Sequence, residues 1–156
     1  MMRKNDLISH SAGDITTCIE QMENGDTKVK LIGTDGSYYC RTASSPHGGW
    51  QNSHVHVYVK EFYVVQSGWI AYASLGEQQL LIIKILKEGE LIIVEPGTHH
   101  NIYMSANSVI HTIKHGSETY SDWVASPHLD GLTQSLTKDD ILRRNVDIRS
   151  EVRGEG

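Results

Sequence analysis

Two cysteines in 156 residues, no sustained run of lysine or arginine and no long apolar stretch set the first limits on this chain. Cys18 and Cys40 stand 22 positions apart, a spacing that matches no paired zinc-ligand motif, and two cysteines are too few for a disulfide framework. Both are expected to be structural thiols. The 14 lysines and arginines against 19 acidic residues leave a net charge of −5, and the basic residues form no stripe that tracks a phosphate backbone, so no nucleic-acid partner is expected. The longest apolar stretch, around Leu80 to Leu86, is interrupted by Lys84 and is too short to cross a bilayer. The opening Met1 to Asp6 is not followed by the apolar block of about 7–15 residues that marks an export signal. A cytoplasmic protein without membrane contact is the expectation.

No internal repeat is present, and almost nothing before residue 117 carries the 3.6-residue apolar period of a helix. What is there is ordinary soluble composition, 38% apolar and 21% charged, in a length that suits one domain burying roughly two thirds of its extended surface. Short β-like runs dominate from Thr27 onward. Thr27–Ile32 and Ser37–Thr42 flank Asp35-Gly36, a pair suited to the positive φ of a tight hairpin. Further runs span His54–Tyr58, Glu61–Gln66, Trp69–Ser74, Gln79–Leu86, Leu91–Glu95, Asn101–Met104 and Val109–Lys114, broken by glycine and serine. So many short strands predict an all-β closed barrel or jelly roll that limits exposed edges. The organisation expected is an N-terminal arm over 1–26, a barrel over 27–116, and a C-terminal segment over 117–156. In the last, Thr137 caps a short helix with Asp139 and Asp140 in its first turn, and residues 149–156 fray.

His54, His56 and Glu61 stand in the order H-x-H-x4-E. Imidazole nitrogen with carboxylate oxygen suits Zn, Fe, Ni or Mn rather than Ca. Two histidines two apart in a strand share a face, whereas Glu61 is five positions past His56, so a turn or bulge must re-aim it. Val109–His115 offers two faces, His111 with His115 and Thr112 with Lys114; parity leaves open which looks inward. His111, facing inward, is a candidate proton shuttle. Tyr58, Tyr63 and Tyr103 are candidate hydroxyl donors near the ligands, with Tyr63 and His111 taken as the candidate catalytic residues. His99 adjoins His100 and by alternation turns away from it. The segment Asp122 to Asp130 has the composition of a loop over a barrel mouth.

Gly48, His54, His56, Glu61 and Gly68 match, at every spacing, the first motif of the cupin superfamily, G-x5-H-x-H-x3,4-E-x6-G, and the chain resembles that superfamily from Gly48 to Met104. Its second motif, G-x5-P-x-G-x2-H-x3-N, aligns with Gly89, Glu95, Gly97, His100 and Met104. The glycines and the histidine agree; Glu95 and Met104 replace proline and asparagine, and Pro96 sits one place late. The resemblance implies a small single-domain jelly-roll barrel, usually dimeric, with one divalent transition metal ion (Zn, Fe, Ni or Mn) on His54, His56, Glu61 and His100. One or two coordination positions would remain for water or a small-molecule substrate. Three functions are expected in order: a metal-dependent enzyme of isomerase or epimerase type acting on a small polar substrate such as a sugar derivative, a non-haem iron dioxygenase, and a non-catalytic binding or scaffold module.

Overall fold

The computed structural model describes residues 5–116 and 122–144. Among the described residues thirteen strands run in chain order: β1 (Asn5–Ala12), β2 (Ile15–Gln21), β3 (Thr27–Gly33), β4 (Tyr38–Ala43), β5 (Gly49–Trp50), β6 (His54–His56), β7 (Lys60–Ser67), β8 (Trp69–Leu75), β9 (Leu81–Lys87), β10 (Leu91–Val94), β11 (His100–Met104), β12 (Val109–His115) and β13 (Trp123–Ala125). Helix α1 (Pro127–Thr133) follows, and α2 is described over 138–144. The expected fraying of 149–156 lies outside the described residues.

The strands form two antiparallel sheets in the orders β1-β2-β3-β4-β12-β7-β10 and β13-β6-β11-β8-β9, with β5 also paired to β11. The chain is an all-β jelly roll with a short C-terminal helix. The Asp35-Gly36 hairpin is present, Ile32 pairing Tyr38 across the sheet. Residues 5–21, expected as an arm, form a second hairpin turned at Gly13-Asp14 that extends the first sheet as β1 and β2. A two-residue Gly-Asp turn is a hairpin signal. It is weakly visible in sequence because neither strand carries an apolar face worth a core; Ile8 and Ile15 stay about half exposed.

Alternation decides what enters the barrel. Along β7, Glu61, Tyr63 and Val65 are buried while Phe62 and Val64 are less so. Tyr63 and Val65 join Ile70, Tyr72, Leu86, Val94, Ile102, Met104 and Ile110 in the core between the sheets. Each such apolar side chain contributes about 1.5–3 kcal/mol when fully buried. The second sheet is buried on its outer face too, since Ala71, Ala73, Ile83 and Tyr103 pack with Ile141 of α2, flanked by Trp50, Trp69 and Leu136. Trp50 donates its indole N–H to the Leu136 carbonyl at 3.0 Å, and Asn101 donates to the Thr133 hydroxyl at 3.3 Å.

The α2 start is as expected from Thr137. Its hydroxyl accepts the Asp140 N–H at 3.2 Å, and the Asp140 carboxylate accepts the Thr137 N–H at 2.9 Å, a reciprocal cap. Two motif glycines are there because side chains do not fit. Gly48 has φ +67° and a Cβ on it would stand 2.5 Å from the Met104 carbonyl oxygen; at Gly68, φ +77°, a Cβ would meet Ser108 Cβ at 2.6 Å.

Candidate metal centre

The site forms where the chain changes sheets. His54 and His56 lie on β6 of the second sheet, Val57–Val59 turn, and β7 starts at Lys60 in the first. The turn removes the parity constraint, so Glu61 faces the histidines from the opposite wall. His100, at the start of β11, pairs His54 in register and adds a third imidazole. Glu61 Oε1 is the focus. His54 Nε2 lies 3.6 Å and His100 Nε2 3.7 Å from it, and His56 Nε2 is in direct contact with it. Donor atoms of His54, Glu61 and His100 lie within 4.8 Å of one another.

Each imidazole has its other nitrogen already engaged. His54 Nδ1 bonds the Asn52 carbonyl at 2.9 Å, His100 Nδ1 the Thr98 carbonyl at 2.8 Å, and His56 Nδ1 the Asp122 carboxylate at 2.7 Å. Those acceptors keep the proton on Nδ1 and leave the Nε2 lone pair free toward Glu61. His56 Nε2 and Glu61 Oε1 are nevertheless buried without a hydrogen-bond partner. Buried polar atoms are normally satisfied, so two orphan lone pairs converging on one point, beside the Nε2 atoms of His54 and His100, fit a cation that they would ligate together.

The electrostatics agree. Burial raises the Glu61 carboxyl, but His100, His54 and His56 outweigh it, leaving Glu61 an anion well below the usual carboxylate range. Burial chiefly lowers His54, holding it neutral, as a ligand must be. Tyr63 donates its hydroxyl to Glu61 Oε2 and lies 3.3 Å from His100 Nε2; burial, then the Glu61 charge, raises it far enough to keep its proton. Tyr72 stacks on His100 with ring centroids 6.0 Å apart, and Trp123 stacks on His54 at 5.5 Å.

His54, His56, Glu61, His100 and Tyr63 are therefore brought together, and the other sequence candidates are not. His111 points to the outer face, bonded to the Tyr39 hydroxyl and to Gln66, each at 2.6 Å, because Ile110 and Thr112 of the same strand take the inward positions. A shuttle role beside the metal position is thereby ruled out for His111. Tyr58 is 68% exposed on the crossing turn, and Tyr103 packs against Trp50 and Trp69 in the core beneath the helices. His99 turns away to Ser126, 2.8 Å distant. The Asp122 to Asp130 segment is not a free loop: β13 pairs β6, and Asp130 accepts the Ser53 N–H at 2.8 Å. Sequence reasoning missed Asp122 and Tyr72. Only the 2-residue alternation that puts Tyr72 with Ile70 hinted at the latter.

No family model matches the sequence, and no curated protein matches it. Solved structures do. An oxalate oxidase in complex with the substrate analogue glycolate superposes with TM-score 0.55 at 20% identity over 68% of this chain and 57% of that one. An oxalate decarboxylase from Bacillus subtilis gives 0.58 at 14% identity over 94% and 37%. An RmlC-like cupin from Shewanella frigidimarina gives 0.54 at 18% identity over 69% and 89%. The fold is that of the cupins. The chain spans little more than half of the oxidase and about a third of the decarboxylase, and it shares their fold at low identity. Among the described residues no helix is long and apolar enough to cross a membrane.

Proposed function

We propose that His54, His56, Glu61 and His100 hold one divalent transition metal ion, and that the protein is an enzyme acting through it on a small polar substrate such as a sugar derivative, by isomerase or epimerase chemistry. The observation that carries this reading is the buried, partnerless pair His56 Nε2 and Glu61 Oε1 inside a shell whose Nδ1 atoms are all engaged. When bound, the ion would polarise a substrate carbonyl or hydroxyl. The chain's own groups do the rest. Glu61 supplies the negative charge and is held in place by the Tyr63 hydroxyl. Tyr63 and Tyr72, both raised by burial, keep their protons and do not act as bases; Tyr63 spends its proton on Glu61, which leaves Tyr72 as the donor to a substrate oxygen. Tyr63 and Tyr72 themselves belong to the apolar core between the sheets, together with Val65 and Ile102. A Bacillus subtilis oxalate decarboxylase of the same fold is described by its Mn(II) centres, which adds manganese support to the donor-set argument.

The test is elemental analysis of protein purified without a metal-affinity tag, for wild type and His56→Ala. About one zinc, nickel or manganese per chain, lost in the variant, is expected, followed by turnover in a sugar and sugar-phosphate screen. Stoichiometric iron would move the assignment to an oxygenase. No metal after purification and reconstitution would overturn the proposal.

A further inference from the structure

Beyond the ligand set, the ammonium directly across from Glu61 on the barrel's inner wall has no anionic partner among the described residues. Lys114 lies on β12, directly across the ladder from Glu61 on β7 and from Tyr38 on β4. Directly opposed residues of an antiparallel pair project to the same face, with Cβ atoms about 4.5–5.5 Å apart. Glu61 points inward, so Lys114 does too. Its Nζ sits 4.4 Å above the centre of the Tyr38 ring, and the side chain is half-buried. It makes no hydrogen bond or ion pair with any described residue. The neighbouring Lys30 differs, since it pairs with Glu20 at 2.7 Å. Glu61 cannot serve as the counter-ion for Lys114, because its Oε1 faces three imidazoles and its Oε2 takes the Tyr63 hydroxyl.

A half-buried ammonium without an anion recovers only part of its desolvation cost, here from the Tyr38 ring face. Burial accordingly lowers Lys114 from the ordinary lysine value, with Glu61 opposing. The wall beside the ligand set is thus prepared for one negative charge from outside.

We infer that Lys114 anchors the substrate's anionic group, and that the substrate is a small hydroxy or oxo acid whose carboxylate meets Lys114 while its hydroxyl or carbonyl oxygen reaches the centre beside Glu61. The inference rests on the proposed metal site and narrows its substrate class. A carboxylate is favoured over a phosphate ester because Lys30 is already neutralised by Glu20, and because Glu61, directly across the ladder from Lys114, repels a second negative charge.

The probes are gluconate and sorbitol, which differ only by a carboxylate against a hydroxymethyl group, with glucose 6-phosphate as the third. Each is titrated calorimetrically into metal-loaded wild type, Lys114→Met and Lys114→Arg, with metal content measured on every sample. Gluconate should bind wild type about tenfold or more tighter than sorbitol. Lys114→Met should erase that preference at unchanged metal content, and Lys114→Arg should retain part of it. Equal binding of gluconate and sorbitol, a preference that survives Lys114→Met, or tighter binding of glucose 6-phosphate each overturns the anchor and leaves the metal-enzyme proposal standing. Metal-loaded protein that binds none of the three overturns the anchor together with the proposed substrate class, and absence of metal overturns the site itself.

Discussion

Asp122 is the residue whose replacement most directly probes how the ligand set is held. Its side chain is 7% exposed. One oxygen takes the His56 Nδ1 proton at 2.7 Å; the other accepts the backbone N–H groups of Tyr58 at 2.7 Å and Val59 at 3.0 Å, which fixes the turn between the two sheets. Asparagine has the same shape but only one acceptor. With its oxygen toward Tyr58 and Val59, its NH2 faces His56 Nδ1, which must then accept, moving the proton to Nε2 and blocking the lone pair aimed at the ion. With its oxygen toward His56, its NH2 opposes two backbone donors and loosens the turn. Either arrangement costs affinity. Asp122→Asn is expected to weaken metal binding 10- to 100-fold, about 1.4–2.8 kcal/mol, measured by competition with a chelator of known affinity. The carboxyl lies below its ordinary value of 3.8: burial opposes this, and the N–H of Tyr58, then His56 and Val59, outweigh it. A lowered folded value means the carboxylate's contribution to metal-free stability is complete above the ordinary value and is lost as pH falls through the lowered one. The thermal gap between wild type and Asp122→Asn should therefore hold at neutral pH and narrow only below about pH 4. An Asp122→Asn protein with metal affinity within about twofold of wild type would refute the tautomer argument.

Two further outcomes follow from the geometry. Gly48→Ala places a Cβ 2.5 Å from the Met104 carbonyl oxygen at a φ of +67°, and should cost about 2 kcal/mol or more, a melting temperature lower by roughly 4–8 °C; unchanged melting would contradict the close approach. His111→Gln should leave metal stoichiometry and affinity unchanged by elemental analysis and titration, losing no more than about 1.5 kcal/mol of stability with the Tyr39 bond. Loss of metal in that variant would return His111 to the site.

Much of the centre was legible before any coordinates because its signals are local. The spacing from Gly48 to Gly68 and the pair Gly97, His100 lie within short stretches, and the glycine positions carry their own reason in positive φ and close backbone approach. Thr137 with Asp140 is local in the same sense, since a helix cap is completed within one turn. The helix at Pro127–Thr133 was not legible. Seven residues cannot display a 3.6-residue period, and this helix exists because Leu129 and Thr133 pack under the second sheet.

His111 marks the limit of parity. Val109, His111, Ile113 and His115 alternate with Ile110, Thr112 and Lys114, so both faces mix apolar and polar residues, and the choice falls to the strands on either side. Register with β7 turns Thr112 toward Tyr63 and Lys114 toward Glu61, leaving His111 to Tyr39 and Gln66.

The sequence by itself determined the all-β class, the hairpin at Asp35-Gly36 and the identity of four candidate ligands, because turn chemistry and side-chain donor type act within a few residues. Only the tertiary structure decided that Glu61 meets the histidines, that Asp122 reaches His56 across 66 positions, that Tyr72 lies against His100, and that Lys114 faces inward unpaired. Those relations depend on which strands neighbour one another. Pairing in an antiparallel barrel is set by burial summed over both sheets, and no single stretch of chain carries it.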